Sequence, residues 1–199
     1  MDFSQIKQNL EKKGYKVRVC ASGAEAREYI REVVGEKSVG MGGSVTLRQI
    51  GLFDALAARG EVFWHWRAED KTQARLKARG AQVYIASLNA ISEGGELVNI
   101  DGEGNRVSET FYGHERVIFA LGRNKIAPTL EAALYRARNV AAPLNARRLG
   151  RDTPCAKASE LRCFDCQSKE RICKGLAVFW EAPKGCEYEV VLIDEDLGF

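Results

Sequence analysis

The feature that most constrains the fold of this chain is a continuous apolar run, Val117-Ile-Phe-Ala-Leu121. A strand that is apolar at every position is typical of parallel sheets, whose strands are covered on both faces. Other strand patterns alternate with helical patterns along the chain: strands at 16–20, 38–40, 62–66 and 83–86, and helices at 2–14, 22–34, 46–58 and 70–79. This alternation indicates βαβ units. The sequence therefore predicts an α/β fold with a three-layer, doubly wound, mainly parallel sheet in a single domain, residues 1–199.

The second half of the chain continues the pattern around two irregular segments. Residues 96–101 have a strand rhythm and are predicted to form a small hairpin with Arg106-Val107, since Asp101-Gly102 is a turn signal. Pro128 suits the first turn of a helix. We expect the chain to close with strands at 176–180 and 189–193, after a cysteine-rich excursion at 153–175.

Composition excludes several classes of function. The net charge of +3 is small and the basic residues are scattered, so no nucleic-acid-binding surface is expected. No run of about 18 apolar residues occurs, and residues 1–6 lack the layout of a signal peptide. We therefore expect a cytoplasmic protein with no membrane segment, whose six cysteines stay reduced. The sequence leaves open whether the protein is a homodimer.

A glycine-rich turn joins the strand pattern at 38–40 to the helix pattern that follows it. Its candidate ligand-binding residues are Gly40, Gly42, Gly43, Ser44 and Thr46. Glycines let a ligand approach the backbone, and a helix N-terminus offers free amides to a phosphate or carboxylate. The competing interpretation is a tight strand-to-helix connection with no ligand. The position of the turn, beyond the carboxyl end of a strand, favours a ligand.

A dense set of polar residues follows the strand at 83–86. Its members with candidate roles in ligand binding are Ser87, Asn89, Glu93, Asn99 and Asp101. Glu93 and Asp101 are the nearby carboxylates that could act as a catalytic base. For Asp101 the competing role is to shape the turn at Gly102, because aspartate side chains accept backbone N–H groups in turns.

Four cysteines occupy one short segment: Cys155, Cys163, Cys166 and Cys173. The Cys163-Phe-Asp-Cys166 pair can direct two thiolates to one metal, and the outer cysteines can complete the site. The spacing matches neither paired zinc knuckles nor the ferredoxin run. Four interpretations therefore remain open: a zinc ion, an iron–sulfur cluster, a disulfide or free thiols. We expect Cys20 and Cys186 to be ordinary packing residues.

Two histidines and two tryptophans complete the set of candidates. His65 and His114 have no neighbouring cysteine or carboxylate at a suitable spacing, so neither is expected to form a catalytic dyad. Trp64 and Trp66 alternate with His65 on one strand face, which is typical of core packing.

Several motifs together resemble the lactate-utilisation (LUD) family. They are Gly-Met-Gly-Gly-Ser-Val-Thr-Leu-Arg-Gln-Ile-Gly-Leu (40–52), Asn-Ala-Ile-Ser-Glu (89–93), Gly-Glu-Leu-Val-Asn-Ile-Asp-Gly-Glu-Gly-Asn-Arg (95–106), Leu-Gly-Arg-Asn-Lys-Ile (121–126), Asn-Val-Ala-Ala-Pro-Leu-Asn-Ala-Arg-Arg-Leu (139–149) and the cysteine segment. Their order and spacing carry the resemblance. It implies the fold of the ribose-5-phosphate isomerase and CoA-transferase-like superfamily, and a ligand cleft that also includes Asn124 and Lys125.

The resemblance also implies a role as a subunit or accessory of an L-lactate-oxidising system, beside the iron–sulfur proteins of a lactate-oxidation operon. That setting favours a [4Fe–4S] cluster over zinc on the four cysteines, and a small anionic ligand, phosphate or nucleotide-like, in the cleft. Gln49 and Gly94 stand where the family usually has glutamate and aspartate, which weakens an enzymatic role. The alternatives are a non-redox binding module with structural zinc, and a sugar-phosphate or CoA-type isomerase or transferase.

Overall fold

Ten strands form two sheets in the computed structural model, which describes residues 1–199. The strands are β1 (Lys16–Cys20), β2 (Val39–Met41), β3 (Val62–Trp64), β4 (Val83–Ala86), β5 (Ala90–Ser92), β6 (Leu97–Asp101), β7 (Arg116–Gly122), β8 (Ile126–Ala127), β9 (Gly175–Phe179) and β10 (Glu187–Ile193). The larger sheet has six strands in the order β1-β10-β7-β4-β2-β3, and every neighbouring pair is parallel.

Nine α-helices connect and cover the strands. They are α1 (Ser4–Lys12), α2 (Gly23–Val34), α3 (Val45–Gln49), α4 (Leu52–Ala57), α5 (Lys71–Arg79), α6 (Asn105–Phe111), α7 (Leu130–Arg136), α8 (Ala142–Arg148) and α9 (Pro154–Lys157). A π-helical turn at Ala137–Ala141 joins α7 to α8. None of the helices has the length and apolar character needed to span a membrane.

The buried centre of the large sheet confirms the α/β prediction. All residues from Val117 to Leu121 in β7 are fully buried, as their continuous apolar pattern predicts. On one face, α2, α3 and α4 pack against the sheet through residues such as Ile30, Leu47 and Leu52. On the other face lie α1 and the smaller sheet. The parallel sheet is therefore covered on both faces.

The smaller sheet is a feature that the sequence did not predict. Its four strands have the order β8-β5-β6-β9, and β6 pairs antiparallel with both β5 and β9. The predicted hairpin between 96–101 and Arg106-Val107 is wrong, because those two residues lie in α6. The Asp101 carboxylate explains this: it accepts the backbone N–H groups of Glu103, Gly104 and Val107 at 3.1–3.2 Å, which turns the chain into the helix.

The helix predicted at 46–58 is interrupted, and the cause is local. It divides into α3 and α4 at Gly51, whose φ of +68° lies in the left-handed region. Such a backbone angle suits glycine and ends a regular helix. In the cysteine segment, only 154–157 is helical, and 158–174 forms no helix or strand.

Candidate functional site

A cleft of about 1030 Å³ opens at the carboxyl ends of β7, β4, β2 and β3. The four loops that follow these strands each contribute lining residues: Lys125 after β7, Ser87 to Asn89 after β4, Gly43 and Ser44 after β2, and His65 and Trp66 after β3. Ligands in open α/β sheets gather at this edge because the strand ends and loops meet there. The location matches the expectation from the glycine-rich turn.

Half of the predicted ligand-binding residues line the cleft. Those that do are Gly43, Ser44, Ser87, Asn89, Asp101 and Lys125. The others are not part of its lining: Gly40, Gly42, Thr46, Glu93, Asn99 and Asn124. The structure therefore keeps the predicted region but changes which side chains a ligand would meet.

The glycines of the turn serve close packing. A Cβ atom on Gly43 would lie 2.9 Å from Nε1 of Trp66, and one on Gly42 would lie 3.0 Å from Cγ of Arg106. Gly40 is buried within β2, where a Cβ atom would lie 2.7 Å from the carbonyl oxygen of Ala78. These glycines therefore let protein groups pack closely against the turn.

The helix that follows the turn is a poor anion site. It is only five residues long, and one of its N-terminal amides is already engaged, since the Ser44 hydroxyl accepts the N–H of Leu47 at 3.2 Å. Thr46 is fully buried, with its hydroxyl close to Lys125. An anion in the cleft must therefore find its partners elsewhere.

Lys125 lies at the inner end of the cleft and is only 3% exposed. Its Nζ donates to the hydroxyls of Thr46 (2.9 Å) and Ser87 (3.0 Å) and to the carbonyl oxygen of Leu88 (3.0 Å). Burial holds the pKa of Lys125 well below its usual value, and the nearby Arg136 and Arg106 lower it further. Lys125 is therefore held among protein oxygens, in surroundings that disfavour the charged form of its amine.

Asn89, Asp101 and Arg106 form a connected polar wall. The Asn89 side-chain oxygen accepts the N–H of Ile100 at 2.7 Å and an Arg106 guanidinium N–H at 3.4 Å. A second contact places the Arg106 guanidinium 3.8 Å from the Asp101 carboxylate. Asp101 thus combines the turn-shaping role with a position in the cleft, and it is the one of the two predicted bases that lies there.

Three predicted residues have other roles. Glu93 is exposed in the turn between β5 and β6, and its carbonyl oxygen accepts the Asn9 side chain at 2.7 Å. This position removes it as a base for chemistry in the cleft. Asn99 is fully buried, and neither atom of its amide group has a hydrogen-bond partner. The Asn124 side chain instead binds the C-terminal segment, accepting the N–H of Leu197 at 3.0 Å.

The most prominent feature of the cleft, its positive charge, was missed by the sequence analysis. Six arginines and two lysines line it, against three aspartate or glutamate side chains. Each carboxylate is paired with one arginine: Asp54 with Arg67 at 2.9 Å, Glu103 with Arg75 at 2.9 Å, and Asp101 with Arg106 at 3.8 Å. The remaining cations have no carboxylate partner: Arg48, Lys71, Arg148 and Arg151, together with the buried amine of Lys125.

Trp66 forms part of the charged wall. Of the two tryptophans expected in the core, Trp64 is buried and its indole N–H donates to the carbonyl of Gly42 at 3.1 Å. Trp66 stacks on Trp64 and borders the cleft, where the guanidinium carbons of Arg148 and Arg48 lie 4.8 and 5.8 Å from its ring centre. Core packing therefore accounts for Trp64 only.

The four predicted metal-binding cysteines all line a second, small pocket, which we call the cysteine pocket: Cys155, Cys163, Cys166 and Cys173. None forms a disulfide. The Cys163 sulfur accepts the Arg138 side chain at 3.4 Å and the N–H of Asp165 at 3.3 Å. Ala142 and Ile172 border both this pocket and the cleft, so the two sites share a wall.

The cysteine pocket, as it stands, is not shaped for a single metal ion. No three His, Cys, Asp or Glu side chains converge on one point that could hold a single metal ion, which tetrahedral zinc requires. A four-iron cluster instead carries its cysteines on separate irons. The pocket has a volume of about 10 Å³, the space of one water. A cluster can enter only if the loop 158–174 moves outward.

Comparison with known families identifies the chain. The model of the LUD domain matches residues 3–193. The chain belongs to the LUD domain family. A DUF162 family protein from Deinococcus radiodurans has a similar crystal structure, with a TM-score of 0.55 and 11% sequence identity over 97% of this chain and 99% of that one. This likeness confirms the predicted fold of the LUD domain.

Two further solved structures are more distantly similar to this LUD domain. Ribose 5-phosphate isomerase A from Neisseria gonorrhoeae matches with a TM-score of 0.36 and 16% identity, over 56% of this chain and 57% of that one. The eIF2B beta subunit from Chaetomium thermophilum matches with a TM-score of 0.31 and 16% identity, over 64% of this chain and 43% of that one. No curated protein matches the sequence significantly.

Proposed function

We propose that this LUD domain is a subunit or accessory of an iron–sulfur L-lactate-oxidising system and binds a small anionic ligand in the cleft. The observation that carries the proposal is the charge of the cleft. Its three carboxylates are each paired with an arginine, and four further cations have no carboxylate partner. Uncompensated cations in a concave site attract and hold anions. The carboxylate of lactate or of its oxidation product has the required charge.

Different parts of the cleft would serve different parts of such a ligand. The unpaired Arg151 and Lys71 would attract the carboxylate, because both charges remain uncompensated. Asn89 and Arg106, fixed by their hydrogen bonds, would orient polar groups. Asp101 is the candidate base, and Lys125 lies at the inner end of the cleft, where burial disfavours the charged form of its amine.

The four cysteines supply the proposed link to electron transfer. Their thiolates would hold an iron–sulfur cluster, which when bound supplies one-electron transfer. The guanidinium of Arg138 already donates to Cys163, and that of Arg171 donates to the carbonyl oxygens of Cys166 and Cys173 at 2.8 and 3.0 Å. The hydrogen bond from Arg138 to the Cys163 sulfur, and the positive charges of both arginines, would stabilise negatively charged sulfur. We expect the physiological partners to be further iron–sulfur proteins.

Anaerobic purification followed by iron and sulfide analysis, together with a visible absorption spectrum, tests the redox part of the proposal. We expect about four irons per chain and a broad absorption band that bleaches on reduction. One zinc per chain, or no metal in protein purified under iron-replete anaerobic conditions, would contradict the redox role.

Calorimetric titration with L-lactate and with pyruvate, at fixed ionic strength, tests the ligand. We expect binding of at least one of them, weakened about tenfold by Arg151→Gln, since a charge-assisted hydrogen bond is lost. Arg59→Gln is the matched control, because Arg59 is exposed, lies outside the cleft and forms no ion pair. Absence of binding by either anion, or equal weakening by both variants, would refute the assignment.

A further inference from the structure

The cleft is larger than lactate or pyruvate requires. A volume of about 1030 Å³ is in the range of sites that enclose drug-sized or cofactor-sized ligands. The cleft also extends from the buried Lys125 to exposed residues on α3 and α8. A ligand that fills it must therefore have a second part, which reaches the rim, and the side chains there indicate the chemistry of that part.

Two arginines meet at this rim without a carboxylate between them. Arg48 comes from α3 and Arg148 from α8, and both guanidinium groups lie over the ring of Trp66. Neither forms a salt bridge, although most other cleft arginines do. Burial and the neighbouring Arg48 lower the pKa of Arg148. Two like charges held next to each other are unfavourable until an anion joins them.

A neutral group holds Arg148 in place. The Asn145 side-chain oxygen accepts both Nε and Nη2 of Arg148, at 3.0 and 2.7 Å. An asparagine orients the guanidinium without cancelling its charge, as an aspartate at this position would. Contact with Trp66 limits the motion of both arginines, and Trp66 is seated by Gly43, where any side chain would collide with the indole.

We infer that Arg48, Arg148 and Trp66 form a phosphate-binding subsite at the rim of the cleft. A phosphate group carries up to two negative charges and several acceptor oxygens, and planar guanidinium forks match that geometry. A single carboxylate would neutralise only one of the two arginines. The inference deepens the proposed function, on which it rests for the use of the cleft, by naming a phosphorylated ligand class.

Three pairs of compounds distinguish the sources of such a phosphate. The probes are inorganic phosphate against chloride, ribose 5-phosphate against ribose, and coenzyme A against pantetheine, titrated calorimetrically at constant ionic strength. We expect at least one phosphorylated member to bind at least tenfold more tightly than its partner. Equal affinity within all three pairs, or no binding of any probe to the folded protein, would overturn the subsite.

Charge-matched variants locate the binding. Arg48→Gln and Arg148→Gln should each weaken the preferred probe about tenfold, and Arg148→Lys should give a partial loss because the fork is lost while the charge stays. Arg59→Gln removes the same charge away from the cleft and should change affinity less than twofold. Equal losses of affinity in all of these variants would indicate general electrostatic attraction by the whole protein, and would overturn the assignment. Thermal unfolding of each variant checks that it is folded.

The two proposals can fail separately. Binding of a phosphorylated probe, sensitive to Arg148→Gln, in a protein that binds neither lactate nor pyruvate and carries no iron, would leave the subsite in place and remove the lactate role. Binding of lactate or pyruvate that depends on Arg151, with no preference for phosphorylated probes, would remove the subsite and leave the lactate role in place.

Discussion

Replacing Lys125 with methionine tests whether its amine is uncharged in the folded protein. The side chain is 3% exposed and its Nζ contacts only oxygens of Thr46, Ser87 and Leu88. Burial holds the pKa of this amine well below its usual value of 10.5. In the unfolded chain, the same amine is protonated at any pH below about 10.4. At any pH between the pKa of the folded state and that of the unfolded state, the protein therefore binds one proton when it unfolds.

The size and sign of the effect follow from this proton. Since the unfolded state binds more protons, the free energy of unfolding of the wild type rises with pH in that window, by about 1.4 kcal/mol per pH unit. Methionine binds no proton. The difference in unfolding free energy, wild type minus Lys125→Met, should therefore rise at this slope and become flat above a pH of about 10.4. Other titrating groups largely cancel in the difference.

Urea unfolding under reducing conditions at half-unit steps from pH 7 to pH 9.5 measures the slope. Lys7→Met is the control, because Lys7 is a partly exposed lysine on α1 with a single ion pair to Glu11 at 3.6 Å. Its difference from the wild type should be nearly independent of pH in this range. Parallel stability curves for the wild type and Lys125→Met would mean that the buried amine keeps its proton, and would refute the reasoning.

Three further predictions concern packing and the cysteine pocket. Gly43→Ala should cost about 1–3 kcal/mol and change the fluorescence of Trp66, because the new methyl group overlaps the indole; an unchanged spectrum would contradict the packing role. Asn99→Leu should stabilise the protein by about 1–3 kcal/mol in urea unfolding, since the buried amide has no partner, and a loss of stability would disprove this. Cys163→Ser should lower the iron content of anaerobically purified protein while Cys186→Ser leaves it unchanged; equal effects would argue against the cysteine pocket.

The large sheet could be predicted because β7 is long and continuously apolar, and because clear helical patterns separate the shorter strands around it. The run at Val117 to Leu121 and the alternation of patterns around it depend only on local sequence. The smaller sheet could not, because β5 has three residues and β8 has two, too few to show a pattern. Strand β6 also finds its partner β9 far along the chain, after the whole of α7, α8 and the cysteine segment.

The candidate site, too, could be predicted only in part from the sequence. The turn at Gly43 and the polar residues at Ser87 and Asn89 were found because they directly follow strands, whose carboxyl ends share one edge. The pairing of Arg48 with Arg148 was missed, because a hundred residues separate them and only the fold brings them to one tryptophan. Glu93 also follows a strand, so the sequence assigned it to the cleft. That strand, β5, belongs to the smaller sheet, and Glu93 does not line the cleft.

The place of β10 in the large sheet governs when this protein can fold. Strand β10 lies between β1 and β7 and is parallel to both, so the first strand of the chain joins the sheet only through the last one. During synthesis, β1 leaves the ribosome early and has no neighbour until residues 187–193 emerge. Completion of the sheet therefore waits for residues 187–193, and until they emerge the open edges of β1 and β7 need protection from aggregation.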